Sequence, residues 1–319
     1  MAPMPVIYVL HSFGGSHTTL ITNVCETYDS LLAAGEIAPV ILVFPSLLTP
    51  LGGSFAYRSP GNGDHEASLV GELVPDVDAA YRTLAGPEGR GLIGYSHGGT
   101  AAMHLGLLHP DIFGAVAAHA ALYDSIDAYS LQAGRTVAEA APKDLRSFLA
   151  LPLVPEVIQA FYVAAIGSAD LPWPYAKNVW AMQDGTWQLQ TNVVRELARR
   201  DVRHGDLETY LSQRRRLRGI SIVHGLIDGI LPVSQARGMS AALWHGGVPH
   251  HYLEHPRGHL LLPDQALLFM AAALPAVAGQ TPRCGQAIRL DCPPEMEIDL
   301  DEFCHGIVDR KSTRLNSSH

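Results

Sequence analysis

The segment Gly94-Tyr95-Ser96-His97-Gly98 fits the pattern G-x-S-x-G. A serine in that pattern becomes a nucleophile when a sharp strand-to-helix turn holds its hydroxyl clear of the backbone. The flanking sequence supplies such a turn. The apolar run Gly91-Leu92-Ile93-Gly94-Tyr95 leads into it, and the small-residue run Gly98-Gly99-Thr100-Ala101-Ala102 starts a helix at once. A turn this tight crowds its neighbours, so the flanks need glycine, and the hydroxyl lies near the positive end of the helix.

A serine nucleophile needs a base to take its proton and a carboxylate to orient that base. On such a scaffold the acid and then the histidine follow the serine in sequence. Asp228 stands just after the strand-like run Ile222-Val223-His224 and before Pro232-Val233 and a helix. That is where a strand end meets a loop, the usual ligand position in open α/β sheets. Asp201 and Glu254 are poorer rivals, since neither follows a strong strand this way. Among 16 histidines, His259 is best placed as base, between a strand candidate ending at Glu254 and a following helix. His255 is its rival. His251, His255 and His259 have i, i+4 spacing, but Pro256 argues against one continuous helix, so no metal site is expected. The tetrahedral intermediate of acyl transfer needs backbone N–H donors for its oxyanion. One is expected at His97, after the nucleophile. The second is expected in the loop His11-Ser12-Phe13-Gly14-Gly15, at Phe13.

These groups need a sheet to converge on. Apolar runs at 6–10, 40–44, 91–95, 115–119 and 220–224, with a weaker one at 251–254, suit strands buried on both faces. Helical patterns at 19–34, 67–84, 98–108, 232–244 and 263–274 alternate with them; Pro75 must kink the second or start it. The alternation predicts an α/β fold with a mainly parallel sheet. Residues 121–218 carry no convincing strand, but hold Trp173, Trp180, Trp187 and a polar helical stretch over 192–218. They read as a mostly helical insertion, a lid or acyl-pocket wall, within a domain over 1–275. Residues 276–319 read as a C-terminal tail with an acidic patch (Asp299, Asp301, Glu302). Its last nine residues, 311–319, resemble translated adaptor sequence.

Composition narrows the function classes. Of 319 residues, 47% are apolar and 17% charged, ample for a large core. The net charge is −9, and the one basic run, Arg214-Arg215-Arg216-Leu217-Arg218, reads as a solvated helix end, so no nucleic-acid partner is expected. The longest apolar stretch, 266–278, is broken by Pro275 and is shorter than the roughly 20 residues of a membrane span. No charged leader precedes Val6, so a cytoplasmic location is the default expectation. Cys25, Cys284, Cys292 and Cys304 include no C-x-x-C pair and make no zinc site by spacing.

The chain resembles the esterase D-like group of α/β-hydrolases, which includes S-formylglutathione hydrolases, tributyrin and feruloyl esterases, enterochelin esterases and mycolyltransferases. The matching pieces are Tyr8-Val9-Leu10-His11-Ser12-Phe13-Gly14-Gly15, Phe44-Pro45-Ser46, Ser54-Phe55 with the polar loop to Glu66, Glu72-Leu73-Val74-Pro75 with Tyr81-Arg82-Thr83, 94–99, and His109-Pro110-Asp111-Ile112-Phe113. The resemblance implies the α/β-hydrolase fold with Ser96 as nucleophile, Asp228 as acid, His259 as base, and Phe13 and His97 as oxyanion donors. Ser12 stands where the family often has glycine, and the family's early antiparallel strands are missing, as if the N-terminus were truncated. The expected activity is carboxylic-ester hydrolysis of a small-molecule ester through an acyl-enzyme, without metal or organic cofactor. An acyltransferase with the same triad, or a non-catalytic binding protein on the same fold, are the alternatives.

Overall fold

The computed structural model describes residues 2–279. Cys284, Cys292, Cys304, the acidic patch and 311–319 lie outside them, while the start of the tail is described, with Val277 buried and Ala278 bridged to Ile37. Ten strands run β1 (Val6–Leu10), β2 (Ile41–Val43), β3 (Arg58–Ser59), β4 (Gly63–Asp64), β5 (Arg90–Tyr95), β6 (Ala115–His119), β7 (Trp180–Gln183), β8 (Thr186–Leu189), β9 (Gly219–Gly225) and β10 (His251–His255). Six of them form one sheet in the order β10-β9-β6-β5-β1-β2, and every neighbouring pair is parallel. The apolar runs of the sequence are these strands, to within about two residues at each end. This is the α/β-hydrolase fold.

Alternation along the strands divides the core. In β1, Val6, Tyr8 and Leu10 join a cluster with Met103, Leu107, Met239 and Leu243 from helices α4 (His97–Leu108) and α10 (Ser234–His245). Ile7 and Val9 point the other way, toward Val24 and Leu267 of α1 (Ile21–Ala33) and α11 (Pro263–Ala273). Helices therefore cover both faces, which is why the central strands β1, β5 and β6 are mostly apolar. Each large side chain buried this way contributes about 1.5–3 kcal/mol.

Register brings the strand ends into line. Leu10 pairs with Gly94, Tyr95 with His119, His119 with Val223, and Gly225 with His255. The loops after β1, β5, β9 and β10 therefore open on the same edge of the sheet, the edge where α/β folds bind ligands. They carry Phe13, Ser96, Asp228 and His259.

Three expectations need correction. The pattern over 67–84 is not one helix: α2 (His65–Ala67) passes into a wider π-type turn at Ser68–Leu73 and then into α3 (Val74–Ala80), with Pro75 in its first turn. Leu73 and Val74 keep helical dihedrals, so Pro75, which has no N–H to donate, stands directly after the wider turn within one helical run. The polar stretch over 192–218 breaks into α8 (Thr191–Ala198), a π-type turn at Val202–Asp206 and α9 (Leu207–Ser212), so the basic run follows a helix rather than ending one. Finally, the segment between β6 and β9 does hold strands. Beside α5 (Ala128–Ala140), α6 (Leu145–Phe148) and α7 (Leu153–Ile166), β7 and β8 form an antiparallel hairpin. Asp184 and Gly185 turn it, both at positive φ (49° and 77°). That is the Asp-Gly geometry of a tight hairpin. The segment packs around Phe148, Phe161, Tyr162 and Leu197, with Trp173 and Trp180 against them.

Under this segment lies a buried charge network. The Nδ1–H of His104 donates to Asp206 Oδ2 at 2.7 Å, the ring of Tyr57 stacks on it at 3.7 Å, and Glu66 Oε2 lies 3.8 Å from its Nε2. Burial opposes the imidazolium, yet Asp206 and Glu66 outweigh it and raise His104 to about 9. An unfolded histidine titrates near 6.5. The folded chain thus binds the extra proton between about pH 6.5 and 9, and the stability this confers is complete below that window and lost as pH rises through it. The thermal midpoint is expected to fall across pH 6.5–9. In His104→Gln, measured by thermal unfolding at the same pH values, this part of the slope disappears.

Candidate active site

Ser96 sits at the junction of β5 and α4 with φ 57° and ψ −118°. A non-glycine residue at positive φ is held there only when its surroundings fix it. Here the Ser96 N–H donates to the His119 carbonyl at 2.8 Å and the Thr100 N–H donates to the Ser96 carbonyl at 3.0 Å. The flanking glycines are required by space. A Cβ on Gly94 would overlap the Gly98 carbonyl oxygen, and one on Gly98 would overlap the Leu10 carbonyl oxygen. The glycine spacing of the motif is thus the contact between the turn and β1.

His259 and Asp228 meet this serine. Ser96 Oγ lies 2.9 Å from His259 Nε2, and His259 Nδ1–H donates to Asp228 Oδ2 at 2.6 Å. Asp228 Oδ1 accepts the N–H groups of Ile230 and Leu231 at 2.8 and 2.9 Å. The Asp228 side chain has no exposed surface. Burial pushes its carboxyl up, but donors from His224, His259, Leu231 and Ile230 outweigh that and hold it well below the usual carboxylate range. The loop bearing His259 is pinned twice. Tyr95 donates its hydroxyl to the His259 carbonyl at 3.0 Å, and Gly225 leaves room for the carbonyls of Arg257 and Gly258, which a Cβ would overlap.

The loop after β1 is bound to the turn at Ser96 by two histidines. His97 Nε2 accepts the Phe55 N–H at 2.8 Å, so its proton is on Nδ1, which lies 3.2 Å from the His11 carbonyl. His11 Nε2 accepts the Leu47 N–H at 2.8 Å, and its Nδ1–H donates to the Ser12 carbonyl at 2.7 Å. Burial, with neighbouring His11, lowers His97 to about 3, so this ring stays neutral near neutral pH. The turn itself is closed by Gly14 N–H to the Gly52 carbonyl and Gly15 N–H to the Ser12 carbonyl, at 2.9 and 3.0 Å. Its positive φ falls on Gly14, not on Ser12. That explains why a serine fits where glycine is the commoner residue. Among the described residues, the N–H groups of Phe13 and His97 donate to no protein acceptor.

The rival residues are engaged elsewhere. His255 Nδ1 accepts the Arg257 N–H at 3.2 Å. Asp201 accepts the N–H and hydroxyl of Ser125 at 2.6 and 2.8 Å. Glu254 takes both Arg237 Nε and Nη2, at 2.7 and 2.8 Å. His251 binds Ser221 Oγ at 2.8 Å, so the three histidines spaced by four do not gather on one point. Sequence reasoning missed Tyr95, His11, Gly225 and His224. Only the side-chain volume of Tyr95 inside the motif and the glycine after β9 offered any hint of them.

Comparison with known proteins agrees with this architecture. The Esterase family model ("Putative esterase") matches residues 1–214. An endo-1,4-beta-xylanase/feruloyl esterase of Xylanibacter ruminicola is 31% identical over 115 residues, which is 34% of this chain and 15% of that protein. A ferulic acid esterase structure superposes with TM-score 0.54 at 20% identity, covering 86% of each chain. Mycobacterium tuberculosis MPT51 (FbpC1) gives the same TM-score at 15% identity, over 87% of this chain and 91% of that one. At these identities the structural likeness is one of fold. With a family model matching most of its length, the chain belongs to the Esterase family of α/β-hydrolases.

Proposed function

We propose that this chain hydrolyses carboxylic esters of small molecules with Ser96 as nucleophile. The observation that carries the reading is the unbroken hydrogen-bond chain Ser96 Oγ–His259–Asp228, 2.9 and 2.6 Å long, on a turn that holds the serine at positive φ. Ser96 Oγ attacks the ester carbonyl and its proton passes to His259 Nε2. The charge on the former carbonyl oxygen is met by the N–H groups of Phe13 and His97. Collapse of the intermediate breaks the bond to the alcohol, which leaves with the proton from His259. Water then enters, gives its proton to His259, attacks the acyl carbon and releases the acid, and Ser96 regains its proton. Asp228 holds His259 in the Nδ1–H form and balances its charge when protonated.

The acyl group would lie against the apolar segment above the sheet. Phe13 of the oxyanion loop and Leu231 beside the acid both pack into the cluster that Leu51, Phe55 and Tyr57 form with side chains of residues 121–218. This gives that segment the role of a pocket wall.

The test is a stopped-flow burst with a p-nitrophenyl ester series of graded chain length. A burst of p-nitrophenol stoichiometric with enzyme, and a single fluorophosphonate adduct on Ser96, are expected. Well-folded protein that takes no adduct on Ser96 would be a binding protein on this fold. Added alcohol capturing most of the acyl group in preference to water would mark a transferase.

A further inference from the structure

Asp228 is held by a group that the sequence did not single out. His224 stands four residues before it on β9, with its side chain fully buried. Its Nε2 lies 2.9 Å from the Leu231 carbonyl oxygen and 3.3 Å from Asp228 Oδ2. A carbonyl can only accept, so Nε2 carries the proton and the ring is in the Nε2–H form. That proton is donated to the Leu231 carbonyl, and the same nitrogen lies 3.3 Å from Asp228 Oδ2. The other ring nitrogen, Nδ1, has no protein partner. An unpartnered buried nitrogen costs free energy that an apolar side chain would not. What an imidazole supplies at this place is therefore its Nε2–H.

We propose that His224 is a positioning residue for the triad acid, acting through that single donor. The inference rests on the roles assigned above to Asp228 and His259. Asp228 Oδ1 already accepts two backbone N–H groups, and Oδ2 accepts from His259. His224 sets its polar Nε2–H beside Oδ2, the nitrogen 3.3 Å away, and ties the 228–231 turn to β9 through its hydrogen bond to the Leu231 carbonyl. It has two effects. The carboxylate plane is fixed from the strand side, so Oδ2 stays aimed at His259. The donor also draws negative charge from Oδ2, which limits how strongly Asp228 favours the protonated form of His259.

Other ionisable groups surround the pair. Glu254 is the register partner of His224 across the sheet and is neutralised by Arg237. His255 follows it, and its charged form is disfavoured mainly by burial and then by His224. Tyr95 and Tyr129 lie near Asp228, and burial raises both of their hydroxyls further from ionisation. None of these is a second donor to Oδ2.

The experiment compares His224→Gln, His224→Asn and His224→Leu. A glutamine amide reaches the place of Nε2, whereas the asparagine amide stops one carbon short and leucine has no donor. Kinetics are measured on p-nitrophenyl acetate from pH 5 to 9, with thermal midpoints recorded alongside. For Asn and Leu, kcat is expected to fall roughly 10–100-fold with KM little changed. The acid limb of the kcat/KM profile should move to higher pH, because Oδ2 has lost the N–H beside it. Gln should restore both kcat and the limb.

Wild-type kinetics in folded Asn and Leu variants would overturn the inference. So would Gln being as impaired as Asn, or both amide variants failing to fold, since His224 would then be a core residue only. A parallel fluorophosphonate titration separates the two levels. If wild type takes no label on Ser96, the triad reading fails. If wild type labels fully and the Asn variant behaves like it, only the role of His224 fails.

Discussion

Ser96→Ala lowers kcat on p-nitrophenyl esters by about 10⁴–10⁶-fold, the loss that follows removal of a nucleophile acting as one unit with its base. The substitution is clean here. Serine and alanine both carry a Cβ, so the strain at φ 57° is common to both. The backbone bonds to His119 and from Thr100 do not involve Oγ. Ser96 is only 8% exposed, and among the described residues its Oγ pairs with His259 Nε2 alone. Stability should therefore change by less than about 1 kcal/mol. The checks are steady-state kinetics, thermal unfolding, and loss of the fluorophosphonate mass increment. Retention of more than a hundredth of wild-type kcat in pure Ser96→Ala protein would remove this serine from the chemistry.

Asp228→Asn is the second large effect, with kcat reduced about 10⁴-fold at neutral pH. The direction follows from the donors around the carboxylate. The N–H groups of Ile230 and Leu231 need an oxygen at the Oδ1 place. The amide oxygen must go there, which forces the NH2 group to the Oδ2 place, facing His259 Nδ1. Two donors cannot face each other, so His259 shifts its proton to Nε2 and can no longer accept the proton of Ser96. The NH2 group also meets the Nε2–H of His224, an added repulsion. Titration of KM and kcat separately checks this, since the wrong tautomer impairs kcat and leaves ester binding intact. A loss of less than tenfold would mean that another carboxylate orients the base.

Much of this was legible in the residues. Val6–Leu10 and Ala115–His119 are mostly apolar runs with both faces covered, and their boundaries were readable because burial on two faces leaves few polar positions. Ser96 was legible because the turn excludes side chains at 94 and 98. Asp228 and His259 were legible because each follows a strand of the same parallel sheet. The hairpin at 180–189 was not recognised, although Asp184-Gly185 between two alternating runs is a hairpin signal. The tryptophans were read as helical wall instead. The break of 67–84 into α2, a π-type turn and α3 has no signal in hydrophobic spacing, which stays in phase through it. His11, His97 and His224 are set by backbone partners up to 86 residues away in sequence, and composition carries no trace of such pairs.

The connection from β6 to β9 has a consequence for how the molecule comes to be active. Ser96 and the loop at Phe13 belong to the half-sheet β1, β2, β5 and β6, whose pairings close early in the chain. The acid and the base arrive on β9 and β10, and β9 must find β6 across the whole of the segment from α5 to α9. Distant pairing of this kind is slow and comes after local structure. A ribosome would thus release a half-sheet holding an inert serine, and a refolding solution would regain its helical signal before its reactivity. In this topology Ser96 meets His259 and Asp228 only once β9 and β10 have joined the sheet.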